Sequence, residues 1–171
     1  MSNELINDPS FVAFAGQILG SSELADGLDA IQLATLAAIG QFRMYGAREQ
    51  ICDEHDTSNE VYIIQNGDVE VWIDPARIGE PGAARRIALL RAGQTCGELA
   101  LLDGGLRSAQ MRAGHVGVKL MAFDRTALMG LCEADTAIGF RIMRNLAGGL
   151  ALRLRLQDMR LYGAEPPDDL V

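Results

Sequence analysis

From Gln41 to Phe123 the chain runs in short apolar-alternating stretches split by turn residues: "VYIIQNGDVEVWID", "ARRIALLRAG" and "MRAGHVGVKLMAFD". Period-two alternation sends successive side chains to opposite faces of a strand, one face toward a core. Several such strands at short intervals point to a sandwich or rolled barrel and away from alternating β-α-β units. Gln65-Asn66-Gly67-Asp68 lies between two β-branched runs. Asn66 and Gly67 both tolerate positive φ, so this stretch predicts a hairpin.

Helical spacing flanks the strand block on both sides. In "NDPSFVAFAGQILG", Asn7 or Asp8 is the cap candidate, Pro9 takes the first helical position and Gly20 is the stop. In "LDAIQLATLAAIG", Leu28, Ile31, Leu36 and Ile39 recur at helical spacing and Gly40 ends the run. After Asp124, "RTALMGLCEA" reads as one helix, and Asp135 or Thr136 caps a longer one reaching Tyr162. On that helix Met143, Leu146, Leu150, Leu154 and Leu161 draw one stripe, while Leu152, Leu156 and Met159 draw another. Two stripes exceed what one neighbour needs, which predicts pairing with a second copy or a protein partner.

A chain of 171 residues has room for one domain with a proper core. The expected organisation is a single domain over 1–163, made of N-terminal helices (1–40), a β-roll (41–123) and C-terminal helices (124–162). Residues 163–171, "GAEPPDDLV", read as an acidic tail. With 49% apolar but only 5% aromatic residues, the core must be filled by aliphatic side chains. The net charge of −8 argues against a surface that grips nucleic-acid backbones. Cys52, Cys96 and Cys132 are odd in number and far apart, forming neither a disulfide framework nor a zinc pattern, which suits a reduced, cytoplasmic setting. No signal peptide or membrane-length apolar run is legible, so no membrane partner is expected.

The stretch "CGELALLDGGLRSA", residues 96–109, sets an acid and a base on either side of a glycine-rich aliphatic loop. Gly93 and Gly97 allow a sharp turn into "ELALL". A short helical turn beginning at Glu98 presents free amides at its start, where an anion is stabilised. Gly104 and Gly105 let the chain double back and bring Arg107 to the same anion. Guanidinium against phosphate is charge-assisted and often bidentate, worth roughly 1.5–3 kcal/mol per bond. Glu98 repels a phosphate but accepts from hydroxyls, as acidic residues do with ribose. Anion, sugar hydroxyl and aliphatic wall together describe a small nucleotide.

"GELALLDGGLRSA" resembles the phosphate-binding cassette of cyclic nucleotide-binding domains, the family of bacterial catabolite-activator proteins, kinase regulatory subunits and certain channels. The likeness extends to the leading helix and first strands, residues 24–72, and to the trailing helices, residues 123–156. It implies an α+β fold, an antiparallel β-roll (jelly-roll-like, a double-stranded β-helix) flanked by N-terminal helices and two C-terminal helices. It further implies that Gly97 opens the cassette, Glu98 binds the ribose 2′-hydroxyl and Arg107 the cyclic phosphate. Backbone amides near Leu99, Ala100, Ser108 and Ala109 would complete the cradle. Val71 and Ile87 fall where the family walls the base, and Arg153 where the terminal helix closes over it. Cys96 replaces the usual aromatic and Leu106 the usual proline or valine, and neither change removes a polar contact. The Ser108 hydroxyl serves either purine, so cAMP and cGMP both stand as ligands.

The expected function is a cyclic nucleotide sensor that moves its terminal helix and signals to a partner, as a homodimer through that helix or with an unidentified protein. About ten residues follow Leu161, too few for a helix-turn-helix domain. The alternative is a β-roll interaction or dimerisation module with a degenerate pocket. No nucleophile-base constellation is present, so no enzyme and no catalytic residue is expected. "CDEHD", residues 52–56, tempts toward a metal, but His55 and His115 are the only histidines and a metal site on such a roll needs more. His55 is read as a turn residue at positive φ. Gly148-Gly149 costs about 1 kcal/mol per glycine inside a helix. Close packing of another helix is the favoured reason, a hinge the other. Arg141, Arg144, Arg153, Arg155 and Arg160 read as a solvated face in preference to a nucleic-acid patch.

Overall fold

The computed structural model describes residues 6–161. Helix α1 (Pro9–Leu19) starts where predicted, with the Asp8 carboxylate accepting from the amides of Ser10 and Phe11 at 2.8 and 3.1 Å. Pro9 sits in the first turn, where its missing N–H has no partner to lose. Helix α2 (Ala30–Ile39) opens on a reciprocal capping box between Asp29 and Gln32 and packs against α1.

Six strands follow: β1 (Gln41–Tyr45), β2 (Gln50–Cys52), β3 (Val61–Ile73), β4 (Arg85–Leu90), β5 (Thr95–Cys96) and β6 (Gln110–Phe123). All pair antiparallel in the order β1-β6-β3-β4, with β2 also on β6 and β5 also on β3. The long β3–β6 pair, from Val61↔Phe123 to Trp72↔Gln110, carries the roll.

The hairpin predicted at Gln65–Asp68 is not formed. β3 continues unbroken through this stretch, and the pairing with β6 shifts register between Ile64 and Asn66 and again between Gly67 and Val69. Gly67 has φ 82° and, almost opposite it, Gly117 has φ 81°. A Cβ on Gly67 would stand 2.2 Å from the Gly117 carbonyl oxygen. Both strands therefore bend together at a glycine pair, and the local signal for positive φ marks a bulge that curls the sheet.

Alternation along β3 gives the sheet two apolar surfaces. Val61 and Ile63 face the helices, in a core with Leu19, Leu36, Met121, Phe123 and Leu128. Tyr62 and Ile64 face the roll's interior with Val69, Leu90, Met111, Val118 and Leu120. Fully burying such a side chain stabilises by about 1.5–3 kcal/mol.

Helix α4 (Arg125–Ala134) is capped by Asp124, and α5 (Thr136–Leu161) by Asp135, which accepts from the amides of Ala137 and Ile138. The buried face of α5 is Ile138, Ile142 and Leu146. The predicted stripe fades along the helix: Leu146 is buried, Leu150 half-buried and Leu154 60% exposed. Leu152, Leu156 and Met159 are half-buried, and the side chains of Arg160 and Leu161 lie outside the described set. Among the described residues of this chain, Gly148 and Gly149 have no closely packed neighbour, since a Cβ on either would meet nothing within 4 Å. The close approach is at Gly139, where a Cβ would stand 2.4 Å from the Cys132 carbonyl oxygen of α4. The tail at 163–171 falls outside the described residues.

Candidate functional site

The loop singled out in the sequence folds as a short helix, α3 (Glu98–Asp103), between two left-handed glycines, Gly97 (φ 81°) and Gly104 (φ 67°). No side chain caps its start, so the first amides of α3, those of Leu99 and Ala100 among them, lack a side-chain acceptor. Arg125 of α4 donates from Nε to the Leu101 carbonyl at 2.9 Å, fixing the other end. Leu99 is exposed, while Ala100 and Leu101 are buried.

The chain then returns to Arg107, whose residue is only 3% exposed. Its Nε donates to Ser58 Oγ at 3.0 Å, Nη1 to the Gly97 carbonyl at 3.1 Å and Nη2 to the Glu60 carbonyl at 2.7 Å. The guanidinium also lies 5.6 Å from the centroid of the Tyr62 ring. A Cβ on Gly97 would come within 2.5 Å of Nη1, so only glycine admits the guanidinium there. The backbone is held as firmly: the Arg107 amide donates to Asp56 and its carbonyl accepts from His55. His55 has φ 65°, as expected for a turn residue, so the "CDEHD" turn serves to seat Arg107. Among the described residues no His, Cys, Asp and Glu cluster is placed to hold a metal.

Three of five guanidinium donors are thus used, all on neutral oxygens, and none of the ion pairs among the described residues involves Arg107. Buried charges are ordinarily paired, because desolvating them alone is costly. The two N–H groups that remain, beside an uncapped helix start, form an arrangement suited to an anion.

Glu98 is also buried, but its carboxylate does not share a void with Arg107. It accepts from Nη1 of Arg153 on α5. The same guanidinium donates from Nη2 to the Thr95 carbonyl at 2.6 Å and lies 4.0 Å from Glu23. Two turns earlier on α5, Asn145 Nδ2 donates to the carbonyls of Leu24 and Asp26 at 3.0 and 2.9 Å. Between helix and cassette a crevice of about 10 Å³ remains, lined by Glu23, Thr95, Glu98, Asn145, Gly149 and Arg153 among others. The buried Thr95 hydroxyl has no partner there.

Of the other predicted residues, Ser108 is exposed and Ala109 half-buried, its carbonyl 4.0 Å from Cys52 Sγ. Val71 packs against the roll's interior, paired with Ala88 and Met111. Ile87 falls at the β3–β4 register shift, without a cross-strand partner and 42% exposed. Sequence reading missed Ser58, Glu60, Thr95 and Asn145. Ser58 lies in a stretch of turn-type residues with no motif, and Glu60 and Thr95 act through carbonyls that any residue supplies.

Among the described residues no helix is long and apolar enough to cross a membrane. Comparison with known proteins agrees with the geometry. The cyclic nucleotide-binding domain model matches residues 42–135. The cyclic AMP receptor protein of Thermus thermophilus is 31% identical over 144 residues, 82% of this chain and 61% of that protein. Glutaminase 1 of Bradyrhizobium diazoefficiens is 33% identical over 139 residues, 80% of this chain and 21% of that protein. The chain therefore spans less than two thirds of either relative. A cyclic nucleotide-binding domain from Methylobacillus flagellatus superposes with a TM-score of 0.78 at 20% identity, covering 98% of both chains, a likeness of fold. With the roll, the glycine-bounded cassette helix and the buried arginine all in place, this chain belongs to the cyclic nucleotide-binding domain family.

Proposed function

We propose that the domain binds cAMP or cGMP and serves as a regulatory sensor, not as an enzyme. Arg107 takes the cyclic phosphate, with the amides of Leu99, Ala100, Ser108 and Ala109 around it and Gly97 opening the turn. Glu98 takes the ribose 2′-hydroxyl, and Val71 and Ile87 flank the base. The observation that carries this reading is the guanidinium of Arg107, a residue only 3% exposed, held by neutral oxygens and the Tyr62 ring and in no ion pair among the described residues, next to an uncapped helix start. Only an anion balances such a charge.

Ligand binding shifts α5, and the change passes to a partner in the cytoplasm. Phe140 and Leu154, 66% and 60% exposed, make α5 the surface for a second copy of the chain. Sedimentation that finds only monomer at high protein concentration removes the homodimer.

One observation favours the rival, a β-roll interaction module that binds no nucleotide: Arg107 and Glu98 each already hold partners within the chain. Titration calorimetry with cAMP and cGMP separates the two. Saturable heat from either nucleotide supports the sensor, and silence from both with the protein folded supports the module.

A further inference from the structure

The geometry points to Arg153 as a built-in competitor for the sugar site: it occupies the Glu98 carboxylate, and a nucleotide must displace it, so that Arg153 weakens binding. This rests on the nucleotide reading above. It is opposite in sign to the part that the resemblance implies for this residue, closure over the base.

Three observations meet on α5. First, Glu98 is 6% exposed with one carboxylate oxygen on Arg153 Nη1, and the crevice of about 10 Å³ left between helix and cassette has no room for a sugar beside that bond. A guanidinium–carboxylate bond is charge-assisted on both sides and stronger than the bond a neutral sugar hydroxyl offers. A sugar alone loses this contest. A nucleotide gains it through the phosphate on Arg107, which ties anion binding to release of the helix.

Second, the helix has two polar ties of different kinds. Asn145 is held by the carbonyls of Leu24 and Asp26, which belong to the N-terminal region and not to the cassette. Arg153 is held by Glu98, the Thr95 carbonyl and, at 4.0 Å, Glu23, so this second tie alone ends on the cassette. Third, Gly148 and Gly149 lie between the ties, with nothing within 4 Å of where a Cβ would stand. Side-chain packing does not support the helix there, and glycine adds backbone freedom. Loss of the second tie therefore frees the helix beyond Gly149 and leaves the part before it anchored.

The test compares the full chain with its Arg153→Ala and Arg153→Gln variants in two measurements. In calorimetry with cAMP and cGMP, both variants are expected to bind about five- to fifty-fold more tightly, the size of an ordinary coupling between two sites. Unchanged or weaker binding overturns the competition. In hydrogen exchange without nucleotide, amides at 150–157 are expected to exchange faster in both variants while those at 137–146 hold their rate. Equal exchange at 150–157 shows that Arg153 does not hold the helix and overturns the proposal from the other side. Silence of wild type and variants toward both nucleotides removes the nucleotide reading and the competition with it. The exchange result then still decides whether Arg153 secures α5.

Discussion

Arg107 is a buried cation, and its three acceptors lie in two segments far apart in sequence, Ser58 and Glu60 before β3 and Gly97 at the start of α3. Only a planar fork spans them. Lysine keeps the charge but carries its donors on one nitrogen. Arg107→Lys is therefore expected to leave at least one buried carbonyl unpaired and to lower stability by about 1–3 kcal/mol, read as a lower guanidinium chloride midpoint at unchanged slope. Nucleotide affinity falls with it by about tenfold or more, since tenfold corresponds to about 1.4 kcal/mol. A midpoint equal to wild type would show that the fork is not engaged in solution. Glu98 and Arg107 were legible because their chemistry resides in side chains at a characteristic spacing. Their partners were not, because carbonyl oxygens carry no sequence identity and Arg153 lies 55 positions from the acid it holds.

At the scale of elements, helix ends could be read and the sheet's shape could not. Asp8, Asp29, Asp124 and Asp135 cap the four longer helices by local bonds that the sequence spells out. The local sequence at Gly67 signals only a positive φ, which serves a hairpin and a bulge equally well. What decides between them is Gly117, fifty residues away on the paired strand. Gly67→Ala, with φ 82° and a Cβ 2.2 Å from a carbonyl oxygen, is expected to lose at least about 2 kcal/mol of stability. Gly148→Ala, in a helix with open space at the Cβ position, is expected to gain about 0.5–1 kcal/mol. Paired denaturation curves check both signs at once. A stabilised Gly67→Ala would mean that β3 and β6 do not bend together.

Among the described residues, more acidic groups are held back from ionising than are helped to it. Burial pushes the thiols of Cys52, Cys96 and Cys132 above their ordinary 9.0, and the phenols of Tyr45 and Tyr62 above their ordinary 10.0. Two carboxyls move the other way. The Arg77 hydrogen bond lowers Asp53 from 3.8, and for Glu70 burial, which raises it, is outweighed by bonds from Trp72 and Arg86, which lower it from 4.5. In alkali the unfolded chain releases thiol and phenol protons that the folded chain keeps, so stability present below pH 9 declines as pH rises past it. In acid the unfolded carboxyls take up protons first, so stability present above about pH 4.5 declines as pH falls. Unfolding midpoints measured under reducing conditions are expected to hold level from about pH 5 to 8 and to drop on both sides, more steeply in alkali, where more groups contribute. Each fully coupled thiol adds up to about 1.4 kcal/mol per pH unit. Cys96→Ala, which removes the thiol at the roll's interior, should flatten the alkaline limb and leave the acid limb unchanged. An alkaline limb as steep as wild type in that variant would place the titration elsewhere, on Cys52, Cys132, Tyr45 and Tyr62.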